Sequence, residues 1–202
     1  MLTALLDGRG KSAGDLAMMA GISAQSGSMH LAQLLQGGLV RVQRVGRHRY
    51  YFLAGPRIAD AIESLGTIST PQAYRLSGTS QALCYARACY DHLAGNLAVR
   101  LTAALERKRF IILQDERAYE VTSAGGRFLR EWGIEVDELR QLRRSFARRC
   151  LDWTERKDHL AGALGAAVFN KFFEFRWITR DERSRVVHVS RAGERKFADL
   201  LI

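Results

Sequence analysis

The apolar residues of the first third of the chain recur at helical spacing, then switch to strand alternation, then return to helical spacing. Met1–Leu6 (MLTALL) is already in mid-pattern with no start signal, which predicts a helix and suggests that a preceding helix is missing from this numbering. Ser12 followed by Asp15 three positions on is a capping box and opens a helix to about Ala20. The "AGIS" stretch makes a tight turn, and Ser23 caps a second helix to Gln36 with Leu31, Leu34 and Leu35 on its inner face. Gly37 and Gly38 stop it. Leu39–Gln43 and Arg49–Leu53 read as strands rich in Val, Tyr and Phe, joined across Gly46. Pro56 then opens a helix over about Arg57–Leu65. The order is helix, helix-turn-helix, two-stranded wing, helix. It predicts a winged helix-turn-helix over residues 1–66.

Residues 66–80 (GTISTPQAYRLSGTS) are rich in Ser, Thr and Gly and read as a linker. Beyond them the pattern repeats itself. "DHLAG" stands at 91–95 and again at 158–162, "YEVTSAG" at 119–125 answers "VHVSRAG" at 187–193, and "DER" occurs at 115–117 and 181–183. Each copy reads as a long helix, an apolar strand (109–113 or 175–179), a charged turn, a second strand and a short helix. The copies span about residues 84–133 and 150–202 of a module covering 80–202. They are expected to pack about a pseudo-twofold axis with a helix at 134–147 between them. The fold class expected for the whole chain is α+β, mainly α.

Charge sharpens this picture. The net charge is +10, the pI is about 10.1, and only five lysines contribute, so the excess is carried by arginine. Arginine suits bidentate contacts to phosphate and guanine, and a basic balance fits nucleic acid or an anionic membrane as partner, or equally a basic surface kept for solubility. The sequence has no run of 18 apolar residues and no signal-peptide pattern at the N-terminus, giving a cytoplasmic expectation. Three cysteines, Cys84, Cys89 and Cys150, argue against a disulfide framework.

The second helix of a helix-turn-helix enters the major groove. Its outward residues here are Gln25, Ser26, Ser28, Met29 and His30. Gln25 can pair with adenine, and the serines can bond bases or phosphates. His30 reads equally well as a base or phosphate contact and as a packing histidine. The wing carries Arg44, Arg47, His48 and Arg49, which fit flanking phosphates or the minor groove, or else protect an exposed edge hairpin with charge.

The stretch "SMHLAQLLQGGLVRVQRVGRHRYYFLA" closely resembles the core signature of the ArsR/SmtB-type bacterial repressors. Ser28, His30, Leu31, Leu34, Gly38, Leu39, Val40, Gly46, Arg47, Tyr50, Tyr51 and Leu53 carry the likeness, which covers about residues 1–65. It implies a homodimer that binds an operator palindrome in double-stranded DNA and leaves it when an inducer binds. The family's usual metal sites do not carry over. The helix "SAGDLAMMAG" has no cysteine, and "RIADAIESLG" offers Asp60 and Glu63 without a histidine.

The duplicated region holds other candidates. Read as one helix, "CYARACYDH" places Cys89 and His92 three apart on a face, with Cys84 five before Cys89; Cys150 and His159 stand at loosely matching places in the second copy. These residues suit a soft metal or metalloid, or a redox-sensing thiol near Arg87, Arg148 and Arg149; equally, they suit small buried core positions. The repeated Asp-His pair suggests one structural task performed twice across the repeat interface. Trp132, Trp153 and Trp177 can line an organic-inducer pocket or simply fill a core.

The leading function is a DNA-binding transcriptional repressor with a C-terminal sensing or dimerising module. The alternative is a sequence-tolerant architectural DNA binder without an inducer. No phosphate-binding glycine loop, paired carboxylates or Ser/His/Asp set supports an enzyme, and no resident cofactor is expected.

Overall fold

A computed structural model describes residues 1–68, 81–181 and 184–202. Most of the linker expected at 66–80, and the Glu182–Arg183 part of the second "DER" turn, lie outside the described residues. The chain forms two compact units: Met1–Gln81 with Glu182–Arg185, and Ala82–Asp181 with Val186–Ile202.

The first unit opens with a 3-10 turn, Leu2–Leu5, where a regular helix was expected. Helix α1 is Ala13–Met19, and the Ser12–Asp15 capping box forms in both directions. Gly21, at φ +66°, makes the turn into α2 (Ala24–Gln36), whose Ser23 side chain accepts the Ser26 N–H. Glycine in mid-helix costs about 1 kcal/mol relative to alanine, and Gly27 has a packing reason to be there. A β-carbon at Gly27 would stand 2.7 Å from the Ala17 Cβ, so its absence lets α1 and α2 approach. The helix ends in a Schellman motif: Gly38 sits at φ +66°, its N–H reaches the Leu35 carbonyl, and the Leu39 N–H reaches Leu34.

Strands β1 (Val40–Val45) and β2 (His48–Leu53) pair in register down to Val45↔His48, leaving only Gly46 and Arg47 at the tip. The strands are longer than the sequence pattern suggests, because charged positions continue the ladder. Lys11 exchanges both backbone hydrogen bonds with Tyr51, tying the segment before α1 to the hairpin. Leu5, Leu16, Leu31 and Val40 form the core under these elements. Helix α3, Pro56–Ile68, runs three residues past its expected end and takes up the start of the linker.

In the second unit the two repeated stretches share one element order, which differs from the one expected. A short helix α4 (Gln81–Tyr85) leads into the hairpin β3 (Arg87–Cys89)/β4 (His92–Ala94). Helix α5 (Asn96–Arg107), the hairpin β5 (Ile111–Leu113)/β6 (Tyr119–Val121) and helix α6 (Ser123–Glu131) complete the first copy. After α7 (Val136–Arg140) the second copy runs through the hairpin β7 (Arg148–Leu151)/β8 (Asp158–Ala161), helix α8 (Gly162–Glu174), the hairpin β9 (Ile178–Arg180)/β10 (Val187–Val189) and helix α9 (Arg191–Leu201). Each copy is therefore hairpin–helix–hairpin–helix. "CYARACYDH" is not one helix: a strand pair starts at Arg87, and the helix of each copy begins no earlier than the glycine of DHLAG. That glycine has φ +91° at Gly95 and +83° at Gly162, where a β-carbon would strike backbone carbonyls at 2.7–2.8 Å. The helix expected at 134–147 is only the five residues of α7.

The two copies exchange halves. The Val187 N–H bonds the Ala86 carbonyl, and the Tyr119 N–H bonds the Ala147 carbonyl, so the first hairpin of each copy continues into the second hairpin of the other. The cores follow the same exchange. Ala86, Leu93 and Leu97 pack with Phe169, Phe172, Ile178 and Phe197, while Ile111, Tyr119 and Leu129 pack with Ala147, Leu160 and Leu164. Trp132 and Trp177 lie edge-to-face with each other and both contact Phe172, filling core rather than lining a pocket. A cavity between α5 and α8 holds about 30 Å³, room for little more than water. Among the described residues no helix is long and apolar enough to cross a membrane.

Candidate nucleic-acid interface and a buried cysteine–histidine cluster

On α2, Gln25, Ser28, Met29 and His30 are exposed; His30 does not pack as a core histidine. Ser26 differs: it is half-buried, and its N–H and hydroxyl are engaged by Ser23 in the helix cap. The Ser28 hydroxyl donates to the Ala24 carbonyl, which leaves its oxygen lone pairs directed away from the helix.

The hairpin exposes Arg44, Arg47, His48 and Arg49. Arg44 stands directly opposite Arg49 in the ladder. Like charges so placed repel, and residues 40–55 contain no Asp or Glu to offset them. A solvated hairpin can tolerate this, but it concentrates positive potential at its tip. Arg41, not singled out by the sequence pattern, adds a further guanidinium on the same strand, stacked 4.4 Å over the Phe52 ring.

In the second unit the pairing register decides what the thiols can do. Cys89 is the ladder partner of His92, and Cys150 of His159. Two residues separate the first pair in sequence and eight the second, yet both pairs occupy the same place in equivalent hairpins. The hairpins meet, and one donor atom from each of Cys89, His92, Cys150 and His159 lies within 4.8 Å of the others. The two imidazoles are stacked, with centroids 5.1 Å apart and Nε2 facing Nε2 at 3.2 Å. Both histidines are 1–2% exposed. Cys84 stands outside this group, and burial pushes its thiol up, contrary to a reactive low-pKa cysteine.

Carboxylates flank both rings. His92 Nδ1 lies 3.3 Å from Asp91 Oδ1. Burial alone would raise the Asp91 carboxyl, but hydrogen bonds from Arg144 and His92 outweigh it and keep it below its ordinary range. His159 Nδ1 is buried without a hydrogen bond; its nearest carboxylate is Asp152 at 3.7 Å. The repeated Asp-His pair is thus only half symmetric. Asp158, the sequence neighbour of His159, pairs with Arg149 instead. Asp152 belongs to the longer β7–β8 connection. Its Oδ2 accepts from Arg87 Nη2 at 2.9 Å and the Gly95 N–H at 2.7 Å; its Oδ1 accepts from Thr154 and the Glu155 N–H. Burial works against ionising Asp152, but Arg87 and these donors hold its carboxyl well below the ordinary range. Arg87 also lies 4.8 Å over the Trp153 ring. Sequence reading missed Asp152 and named Arg87 only as a cation near the thiols, not as the partner of Asp152; the unequal Cys–His spacing was the available signal that the second copy carries an insertion.

No family model and no solved structure matches the chain. It is 40% identical over 200 residues to the uncharacterized HTH-type transcriptional regulator YdfF of Bacillus subtilis (strain 168), a match covering 98% of this chain and 88% of the relative. The match therefore runs through the basic face and the duplicated unit alike, and the chain belongs to the HTH-type transcriptional regulators.

Proposed function

We propose that this regulator is an operator-binding repressor whose N-terminal unit acts as a winged helix-turn-helix of the ArsR/SmtB type. In this reading α2 enters the major groove, with Gln25, Ser28, Met29 and His30 toward base edges, while Arg44, Arg47, His48 and Arg49 lie along the flanking phosphates. It binds a palindrome as a homodimer, and the duplicated unit carries the inducer response. The supporting observation is the hairpin: four exposed cationic or near-cationic side chains, two of them cross-strand partners, with no acid between residues 40 and 55. Such an arrangement gains most when a polyanion replaces its counterions.

The test is a binding titration over a range of salt on DNA from the protein's own promoter. Each phosphate contact contributes about 0.9 to the slope of log K against log salt, so Arg47→Ala with Arg49→Ala lowers the slope by about 2 and weakens binding to every sequence alike. Gln25→Ala instead changes sequence preference with little change of slope. An unaltered slope in the double arginine variant removes the hairpin from the interface. Equal affinity of the native chain for promoter and random DNA favours an architectural binder over a repressor.

A further inference from the structure

We infer that Cys89, His92, Cys150 and His159 bind one divalent cation of the zinc class in a four-coordinate site that pins the two repeats together.

Geometry carries the argument. Two thiols and two imidazoles, contributed by four strands of two hairpins, converge to within 4.8 Å. Metal–nitrogen bonds of about 2.0–2.1 Å at a tetrahedral angle set two imidazole nitrogens about 3.3–3.4 Å apart, and the observed Nε2···Nε2 distance is 3.2 Å. Thiolate bonds of about 2.3 Å ask for S···N edges of about 3.5 Å, so the cysteines need only a small side-chain adjustment to close the polyhedron.

The surroundings of the rings point the same way. His92 Nδ1 lies 3.3 Å from Asp91 Oδ1, which leaves its Nε2 directed at the Nε2 of His159. Two buried ring nitrogens facing each other at this distance can share one cation as ligands. The buried His159 Nδ1, without a hydrogen bond and 3.7 Å from Asp152, needs only a slight turn of the ring to complete the same arrangement. A carboxylate behind the distal nitrogen of a ligating histidine orients the ring and strengthens it as a donor. The charges also close: two thiolates and two neutral imidazoles balance a divalent ion, while Arg144 answers Asp91 and Arg87 answers Asp152. An S₂N₂ donor set in this geometry selects zinc among divalent ions, and cobalt(II) serves as its spectroscopic stand-in.

Duplication supplies an independent argument. The copies have drifted enough to replace Phe110 by Trp177 and to differ by six residues between the Cys and the His, yet both keep Cys and His at the paired ladder position. Core packing alone does not demand that pair twice.

The test uses the full-length chain, reduced and stripped of metal by chelation, titrated with cobalt(II). The expected result is the visible ligand-field absorption of tetrahedral cobalt with a near-ultraviolet thiolate-to-metal band, saturating at one equivalent and bleached by zinc. Cys89→Ser and Cys150→Ser each abolish it, while Cys84→Ser leaves it intact. Cys150→His, which replaces one donor by another, retains the ligand-field absorption with a weakened thiolate band; a merely structural cysteine has no reason to do so. Asp91→Asn lowers the affinity about 10–100-fold. Overturning results are a pale octahedral spectrum, a tetrahedral spectrum that survives replacement of both Cys89 and Cys150, or a stripped chain that takes up no metal and instead oxidises to a Cys89–Cys150 disulfide. None of these readouts involves DNA, so the metal site and the repressor reading stand or fall separately.

Discussion

The pair Arg87–Asp152 gives the most demanding test of how the second unit holds together. Arg87, on the first hairpin of copy one, is 1% exposed, and Asp152, in the insertion of copy two, is 0% exposed. Breaking a buried pair by removing one partner typically costs about 3–5 kcal/mol, because the remaining charge is stranded. The surroundings make the two halves unequal. Arg87→Met leaves Asp152 with the Gly95, Thr154 and Glu155 N–H donors and the Thr154 hydroxyl, so the cost belongs near about 3 kcal/mol. Asp152→Asn strands a guanidinium against the Trp153 ring, the Leu83 carbonyl and the Thr154 hydroxyl, and removes one acceptor oxygen from a cluster of N–H donors. That cost belongs near about 5 kcal/mol. The assay is equilibrium denaturation followed by tryptophan fluorescence, which reports this unit alone because Trp132, Trp153 and Trp177 all lie within it. In a chain of this size each kcal/mol moves the thermal midpoint by about 2–4 °C, so the shifts are about 6–12 °C and 10–20 °C. A cost below about 1 kcal/mol for either variant, or a greater cost for Arg87→Met than for Asp152→Asn, refutes the account of the pair as a buried clamp between the copies.

Two further outcomes follow from particular contacts. Gly27→Val drives a side chain into Ala17, where even a β-carbon would be at 2.7 Å; overpacking of this kind costs about 1–3 kcal/mol, and promoter binding should fall while the tryptophan-reported transition stays in place. Loss of both together would show that the helix pair is not an independent cause. Burial pushes the Tyr119 phenol up to about 12, with Glu106 and Asp158 adding to the shift. The folded state therefore holds this proton more tightly than the unfolded chain, whose phenol titrates near about 10. The stability it contributes is complete below about pH 10 and is lost as pH rises toward about 12. Difference spectra of phenolate formation between the native chain and Tyr119→Phe should show a late-titrating tyrosine; an early one contradicts the burial argument.

Local signals and long-range packing were not equally legible. Ser12 with Asp15, Ser23, and the Gly37–Gly38 pair act within four residues of themselves, and the helix ends they mark are found where the pattern puts them. The repeated words of the second half mark two stretches that share one element order. The hairpins at Arg87–Ala94 and Arg148–Ala161 were not legible, because Cys, Tyr, Ala and Leu at positions 84–94 suit a helix as well as a strand. The choice is made by Gly95 and Gly162, whose positive φ starts each helix late, and by the Ala86–Val187 and Ala147–Tyr119 hydrogen bonds formed across the exchange of halves.

That exchange explains why the candidate site was half visible. From spacing alone, Cys89 and His92 were a helical pair in one copy, and Cys150 and His159 a loose echo in another. Swapping halves sets the first hairpins of both copies side by side, so four donors that no local motif connects share one centre. The same topology makes the centre consequential. Each core is built from both copies, so neither repeat can bury its apolar face without the other. In the proposed site one Cys–His pair from each copy would hold a cation across the seam that both cores share.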